Sequence, residues 1–134
     1  MAKIIIDGKG AVFGRLCSYA AKQALEGNEI VILNSERVVM TGNKTSNIAK
    51  YTQMRAKGGT TIKGPFTPRV AFMLLKRGIK RMLPDFRMGI GKEALSKIKC
   101  YNGVPKEFEK EKAIKVFEAK SGKYIELKEL LERL

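Results

Sequence analysis

The chain opens on an unbroken apolar triplet, Ile4-Ile5-Ile6, between Lys3 and Asp7. A short apolar run with no polar alternation predicts a strand buried on both faces, and Gly8 and Gly10 end it. Phe13, Leu16, Cys17, Ala20 and Ala24 then recur at three- and four-residue spacing, with Arg15, Ser18, Lys22 and Glu26 opposite them. That period predicts an amphipathic helix from about Phe13 to Glu26, stopped by Gly27-Asn28. Ile30 to Leu33 reads as a second buried strand. Strand, helix and strand of these lengths make a βαβ unit, with a parallel pair and a right-handed crossover.

Beyond Asn34 the pattern loosens. Arg37 to Thr41 fits either a short strand or a turn, and Lys44 to Arg55 predicts a helix with Ile48 and Tyr51 as inner contacts. Gly58, Gly59, Gly64 and Pro65 with little apolar content predict an exposed loop over Lys57 to Thr67. Thr67-Pro68 reads as an N-cap and a first-turn proline, opening a helix that runs to about Leu83. On that helix Ala71, Phe72, Leu75, Ile79, Met82 and Leu83 share one arc, while Arg69, Lys76, Arg77, Lys80 and Arg81 fill much of the rest. Pro84 ends it. A glycine loop over Met88 to Gly91 leads into a short helical piece, Lys92 to Ser96, and then a strand over Lys97 to Tyr101 that Asn102-Gly103 stops. Glu107 to Lys112 reads as a solvated charge run and Ile114 to Phe117 as a short apolar run. A last helix from Leu127 to Leu134 offers Leu127, Leu130, Leu131 and Leu134 for docking. No repeat or domain boundary interrupts residues 1–134, so a single domain is expected.

Charge changes the picture. Lys+Arg 27 against Asp+Glu 13 leaves +14, with no histidine. Residues 1–60 hold 9 basic and 4 acidic side chains, residues 61–106 hold 11 and 2, and residues 107–134 hold 7 and 7. The excess is therefore concentrated in the middle. A domain this cationic repels itself unless a polyanion neutralises it, and the expected polyanion is nucleic acid. A solvated helix face normally interleaves acids for i,i+4 pairing; between Lys44 and Lys99 there are 14 basic residues against Asp85 and Glu93 alone. Tyr51, Phe66 and Phe86 are possible stacking groups within this stretch, though each weighs more as core than as platform.

Other chemistry finds little to work with. A structural zinc site needs about four Cys or His ligands, and the chain has only Cys17 and Cys100, which read as small hydrophobes suited to a reducing compartment. No apolar run approaches the roughly 18–20 residues of a membrane span, and the N-terminus is too short in apolar residues for a signal peptide; a cytosolic location is expected. Without histidine or paired carboxylates no catalytic arrangement is supported. Gly8-Lys9-Gly10-Ala11-Val12-Phe13-Gly14 lies where a dinucleotide fingerprint would lie, but its spacing is one residue too long, and a tight structural turn is the better reading. Thr41-Gly42-Asn43-Lys44-Thr45-Ser46 misses the Walker pattern because Asn43 separates Gly from Lys. Its backbone amides and Lys44 still suit one phosphate of a polynucleotide. Neither a cofactor, nor a metal, nor a small-molecule substrate is expected. A dinucleotide enzyme and a DNA-binding module are the rival classes.

Several landmarks occur together and in order. Ile6-Asp7-Gly8-Lys9-Gly10 leads into Gly14-Arg15-Leu16-Cys17-Ser18, and Val31-Ile32-Leu33-Asn34-Ser35-Glu36 is followed by Thr41-Gly42. Gly64-Pro65-Phe66, Arg77-Gly78-Ile79-Lys80-Arg81-Met82-Leu83-Pro84 and Ala94-Leu95-Ser96-Lys97-Ile98-Lys99-Cys100-Tyr101-Asn102-Gly103-Val104-Pro105 complete them. This series resembles the universal large-subunit ribosomal protein L thirteen family, in its archaeal and eukaryotic branch. The chain departs from the family's usual Arg-Gly-Met-Leu-Pro in that Ile79-Lys80-Arg81 stands between Gly78 and Met82. The resemblance implies an α/β fold, three-layer α/β/α, with a mostly parallel four-stranded sheet and basic loop extensions. It also implies no catalysis, a place in the cytoplasmic ribosome, and binding to large-subunit ribosomal RNA beside neighbouring ribosomal proteins. Residue by residue it points to Arg15, Lys44, Arg69, Arg77, Arg81 and Lys97 as RNA contacts. Charge alone adds Lys50, Arg55, Lys57, Lys63, Lys76, Lys80, Arg87 and Lys92.

Overall fold

A computed structural model of the chain describes residues 2–57, 68–119 and 122–133. The expected exposed loop from Lys57, the Gly64-Pro65-Phe66 landmark, Lys63 and the cap at Thr67 fall on residues outside these. So does Leu134.

The elements follow in the order β1 (Lys3–Asp7), α1 (Phe13–Leu25), β2 (Glu29–Leu33), β3 (Val39–Thr41), α2 (Lys44–Ala56), α3 (Ala71–Met82), α4 (Gly89–Ser96), β4 (Ile98–Cys100), β5 (Ile114–Lys115), β6 (Tyr124–Glu126) and α5 (Leu127–Glu132). β4, β2, β1 and β5 lie side by side in a four-stranded sheet. Every pair in it is parallel, with Ile4 opposite Ile30, Ile32 opposite Cys100, and Ile6 opposite Ile114. The apolar triplet thus does what continuous apolar strands do: its alternate residues serve two faces. Ile6 joins Ile30, Ile32 and Ile98 under the helices, while Ile5 joins Val31 and Leu33 on the other face, covered by Phe108. Each such fully buried isoleucine contributes about 1.5–3 kcal/mol. The architecture is α/β, a parallel sheet between two outer layers, the second of them thin.

α1 lays Leu16, Cys17, Ala20, Ala21 and Ala24 onto this core, and α3 lays Ala71, Leu74, Leu75 and Ile79 beside it. The two helices approach closely because residue 78 lacks a side chain: a Cβ there would stand 2.8 Å from the Phe13 ring and 3.1 Å from Cys17 Sγ. α3 differs from its predicted form at its start and in its buried arc. Arg69 and Val70 form a bend and Val70 is the cap, so Pro68 is not a first-turn residue. Phe72 and Met82, expected in the buried arc, are 37% and 46% exposed, whereas Leu74 is buried.

Two more expectations change. Gly89 and Gly91 belong to α4 and not to a loop ahead of it. Gly91 is required there because a Cβ would overlap the Pro84 and Asp85 carbonyls. The charge run at Glu107 to Lys112 is not wholly solvated, since Phe108 in a 3₁₀ turn is buried. β5 stops at Lys115 because Phe117 takes the left-handed conformation (φ 53°), which a strand cannot accommodate. The remaining surprise is β6, which pairs antiparallel with β3 through Met40 and Ile125 and delivers Leu127 and Leu130 of α5 to the core.

Candidate nucleic-acid interface

α3 is the centre of the cationic surface. At 100° per residue, Arg77 and Arg81 share one flank and Lys76 and Lys80 the other. The Arg77 flank faces α2 across a cavity of about 210 Å³ lined by residues including Phe13, Tyr51, Met54 and Met82. Lys76 and Lys80 border a second cavity of about 290 Å³, shared with Pro68, Met73, Leu95 and Arg77, which lines both. No acidic residue stands in the first turn of α3, and Lys80 and Arg81 occupy its last, where the helix dipole favours cations. Burial, and secondarily the like charge of Arg81, hold Arg77 below the usual guanidinium range; Tyr51 acts in the opposite direction. Burial raises the Tyr51 hydroxyl, against the pull of Arg77. Positive charge concentrated on a partly desolvated helix flank is what an incoming phosphate stabilises.

At the far end of α3 the Lys80 ammonium stands 4.3 Å from the centroid of the Phe86 ring, and the Arg87 guanidinium carbon 5.5 Å from it. Phe86 is half-buried and so is Tyr51. Tyr51 packs against the edge of the core, the location the sequence favoured, while Phe86 lies beside the Lys80 and Arg87 cations.

α2 stands apart from the body. None of its residues is buried, and only Ile48 and Tyr51 pack onto the core, as expected. Its cap is Asn43, whose side chain accepts from the Thr45 amide at 3.1 Å. The Gly42 amide donates to the Lys123 carbonyl at 2.8 Å, so two amides of the suggested phosphate loop are already engaged. Lys44 pairs with Glu129 at 3.5 Å. Lys50 and Lys57 are exposed. Arg55 carries a buried Nη1 with no hydrogen-bond partner.

The other candidates are dispersed. Arg15 is exposed on α1, about 200° round the helix from Phe13, and reaches neither cavity of α3. Arg69 lines a separate cavity of about 360 Å³ with Glu36, Asn102 and Lys128. Lys92 is exposed on α4. Lys97 follows α4 and lines a concavity of about 390 Å³ beside β4, where Lys3 and Lys99 are balanced in part by Glu29 and Glu107. Lys3 lies outside the basic tract read from the sequence, and Lys99 is its last member without being among the expected contacts. Alternation along β4, which puts residues 97 and 99 on one face, is the available signal for Lys99; Lys3 arrives from β1, across β2, where it stands opposite Glu29.

The glycine turn after β1 is structural. Gly8 donates to Leu33, Gly10 to Arg37, Ala11 to Gly8 and Val12 to Phe117, all through backbone carbonyls at 2.8–3.1 Å. Lys9 donates its amide to Asp7 Oδ1 at 3.0 Å. The amides a pyrophosphate would require are spent within the fold. Among the described residues no three Cys, Asp or Glu side chains cluster as metal ligands, and no helix is long and apolar enough to cross a membrane.

Residues 2–107 match the family model for ribosomal protein L13. The chain is 44% identical to the large ribosomal subunit protein uL13 of Thermoplasma acidophilum, over 84% of this chain and 81% of that protein. It is 38% identical to the protein of the same name from Methanosarcina barkeri, and 41% identical to that from Methanocaldococcus jannaschii, in both cases over 97% of this chain and 96% of the relative.

Proposed function

The chain belongs to the ribosomal protein L13 family, and from that premise we propose that it is a constituent of the large ribosomal subunit that binds and stabilises large-subunit ribosomal RNA through its α2–α3–α4 surface. The family is one of structural ribosomal proteins, and the chain is not an enzyme. The observation that carries the RNA reading is the cationic, acid-poor tract around α3: Lys76, Arg77, Lys80 and Arg81 on one helix, with Arg87 and Lys92 following, against Asp85 and Glu93.

Such a surface holds a sugar–phosphate backbone by charge-assisted hydrogen bonds, and folded RNA is selected by its shape and 2′-hydroxyls more than by base sequence. The parallel sheet fixes α3, α3 fixes the spacing of the cations, and neighbouring ribosomal proteins take the remaining surface. Neutralising phosphates from several RNA segments at once also favours a compact RNA, which is a role in subunit assembly. The cytoplasmic ribosome is the location that follows.

The test is sedimentation of the tagged protein in a cell lysate. It should travel with large-subunit particles and RNA. An Arg81→Glu, Arg87→Glu double variant, changed at two exposed positions, should lose that association while its thermal midpoint stays within a few degrees. Sedimentation as free protein would reject the reading, and equal loss of binding and stability would make these residues structural.

A further inference from the structure

The cavity between α2 and α3 has a composition that phosphate binding alone leaves unexplained. Its lining combines Phe13, Tyr51, Met54 and Met82 with the arginines 77 and 81, over about 210 Å³. Met82 is 46% exposed and Tyr51 is half-buried, so an aromatic and a thioether side chain each keep part of their surface in solvent beside a cation. Methionine is polarizable and adapts to irregular contacts. One turn along α2 from Tyr51, the Nη1 of Arg55 is a buried donor that no protein acceptor satisfies, and a buried donor without an acceptor is costly.

We propose that this groove receives one unstacked nucleobase of the bound RNA, its face against Tyr51 and Met82 and its flanking phosphates on Arg77 and Arg81. The proposal rests on the RNA-binding reading and adds a base to what is otherwise a backbone clamp. Proteins that recognise RNA loops and bulges stack splayed bases on aromatic rings and guanidinium planes. An apolar side chain of a neighbouring protein would fit the methionines but leave the charge of Arg81 unanswered; a nucleotide answers both. The groove exists because α2 stands off the body while Gly78, lacking a side chain, keeps α3 close to Phe13.

The experiment compares two RNA decamers of identical charge, decauridylate and its abasic counterpart, binding to the full chain at fixed salt. The base-containing strand should bind about 5- to 150-fold more tightly, as expected for one stacked base. Tyr51→Phe should keep that ratio and Tyr51→Leu should reduce it several-fold, whereas Arg81→Gln should weaken both strands by the same factor. Met82→Ala, at an exposed position, serves the same purpose as Tyr51→Leu should the latter fail to fold. A decamer carrying 5-iodouridine should photo-cross-link to Tyr51 in the unaltered protein. A ratio near one, a ratio indifferent to Tyr51 and Met82, or cross-links only elsewhere overturns the proposal, leaving RNA binding intact and the groove to a protein side chain. Failure of both strands and of large-subunit RNA to bind overturns the RNA reading as well.

Discussion

The two cysteines show how a single side chain reports the state of this fold. Cys17 lies in the core under α3, its thiol 3.8 Å from the Leu75 carbonyl, and Cys100 ends β4. Burial pushes both thiols up to about 12 from an ordinary 9.0, with Cys100 adding to the effect on Cys17 and Lys76 opposing it at Cys100. The sign follows directly. Between about pH 9 and 12 the unfolded chain has released thiol protons that the folded chain retains, so stability is full below about pH 9 and falls as pH rises towards 12. Lysines and tyrosines also titrate there, and the thiol share is therefore read as a difference. In urea titrations, Cys17→Ala should be less stable than the unaltered protein at neutral pH and should decline more shallowly above pH 9. Parallel declines would refute the assignment. Thiol reagents at pH 8 should correspondingly react slowly until the chain unfolds.

Among the described residues, little holds α2. A 13-residue helix is marginal alone in water, and this one buries no residue. Its support comes from Ile48 and Tyr51, the Asn43 cap and the exposed Lys44–Glu129 pair, a kind worth little by itself. Amides of α2 should exchange with deuterium well before those of α1 and α3 and slow on RNA binding; Asn43→Ala, removing about 0.5–2 kcal/mol of capping, should hasten the exchange further without moving the global unfolding midpoint. Exchange as slow as that of α3 would contradict this account. The sequence made α2 legible as a helix because Ile48 and Tyr51 keep helical spacing, but its isolation was hidden, since spacing shows which face is apolar and not how much is covered. β1, α1 and β2 were readable because continuous runs and a 3.6 period leave one solution. β6 was not: three residues with one buried side chain, Ile125, carry no period, and only pairing with β3 makes them a strand. Likewise the glycines of α4 signal a loop locally, and only the closeness of Pro84 and Asp85 shows why a helix keeps Gly91. The candidate site was legible as charge. The apolar groove within it was not, because Phe13, Tyr51 and Met82 meet through tertiary packing of three helices.

At the scale of the molecule, an excess of +14 means that every phosphate contact is bought by releasing counterions, so binding must depend steeply on salt. If six to ten phosphates are neutralised, affinity for large-subunit RNA should fall by roughly 10³–10⁵ between about 50 and 200 mM salt. The slope then counts contacts one residue at a time. Arg81→Gln and Lys92→Gln, at exposed positions, should each reduce it by about one while lowering affinity for all RNA sequences alike. Lys44 sits differently, because Glu129 is its neighbour at 3.5 Å and also pairs with Arg133 at 3.2 Å. RNA must displace that carboxylate before it can use Lys44, so Lys44→Gln should change the slope by less than one. Glu129→Gln reverses the argument: it leaves Lys44 and Arg133 without their acid, and affinity should rise with a steeper slope. If Glu129→Gln instead weakens binding, the carboxylate orients α2 for the RNA, and the charge of Lys44 is secondary to the position of the helix.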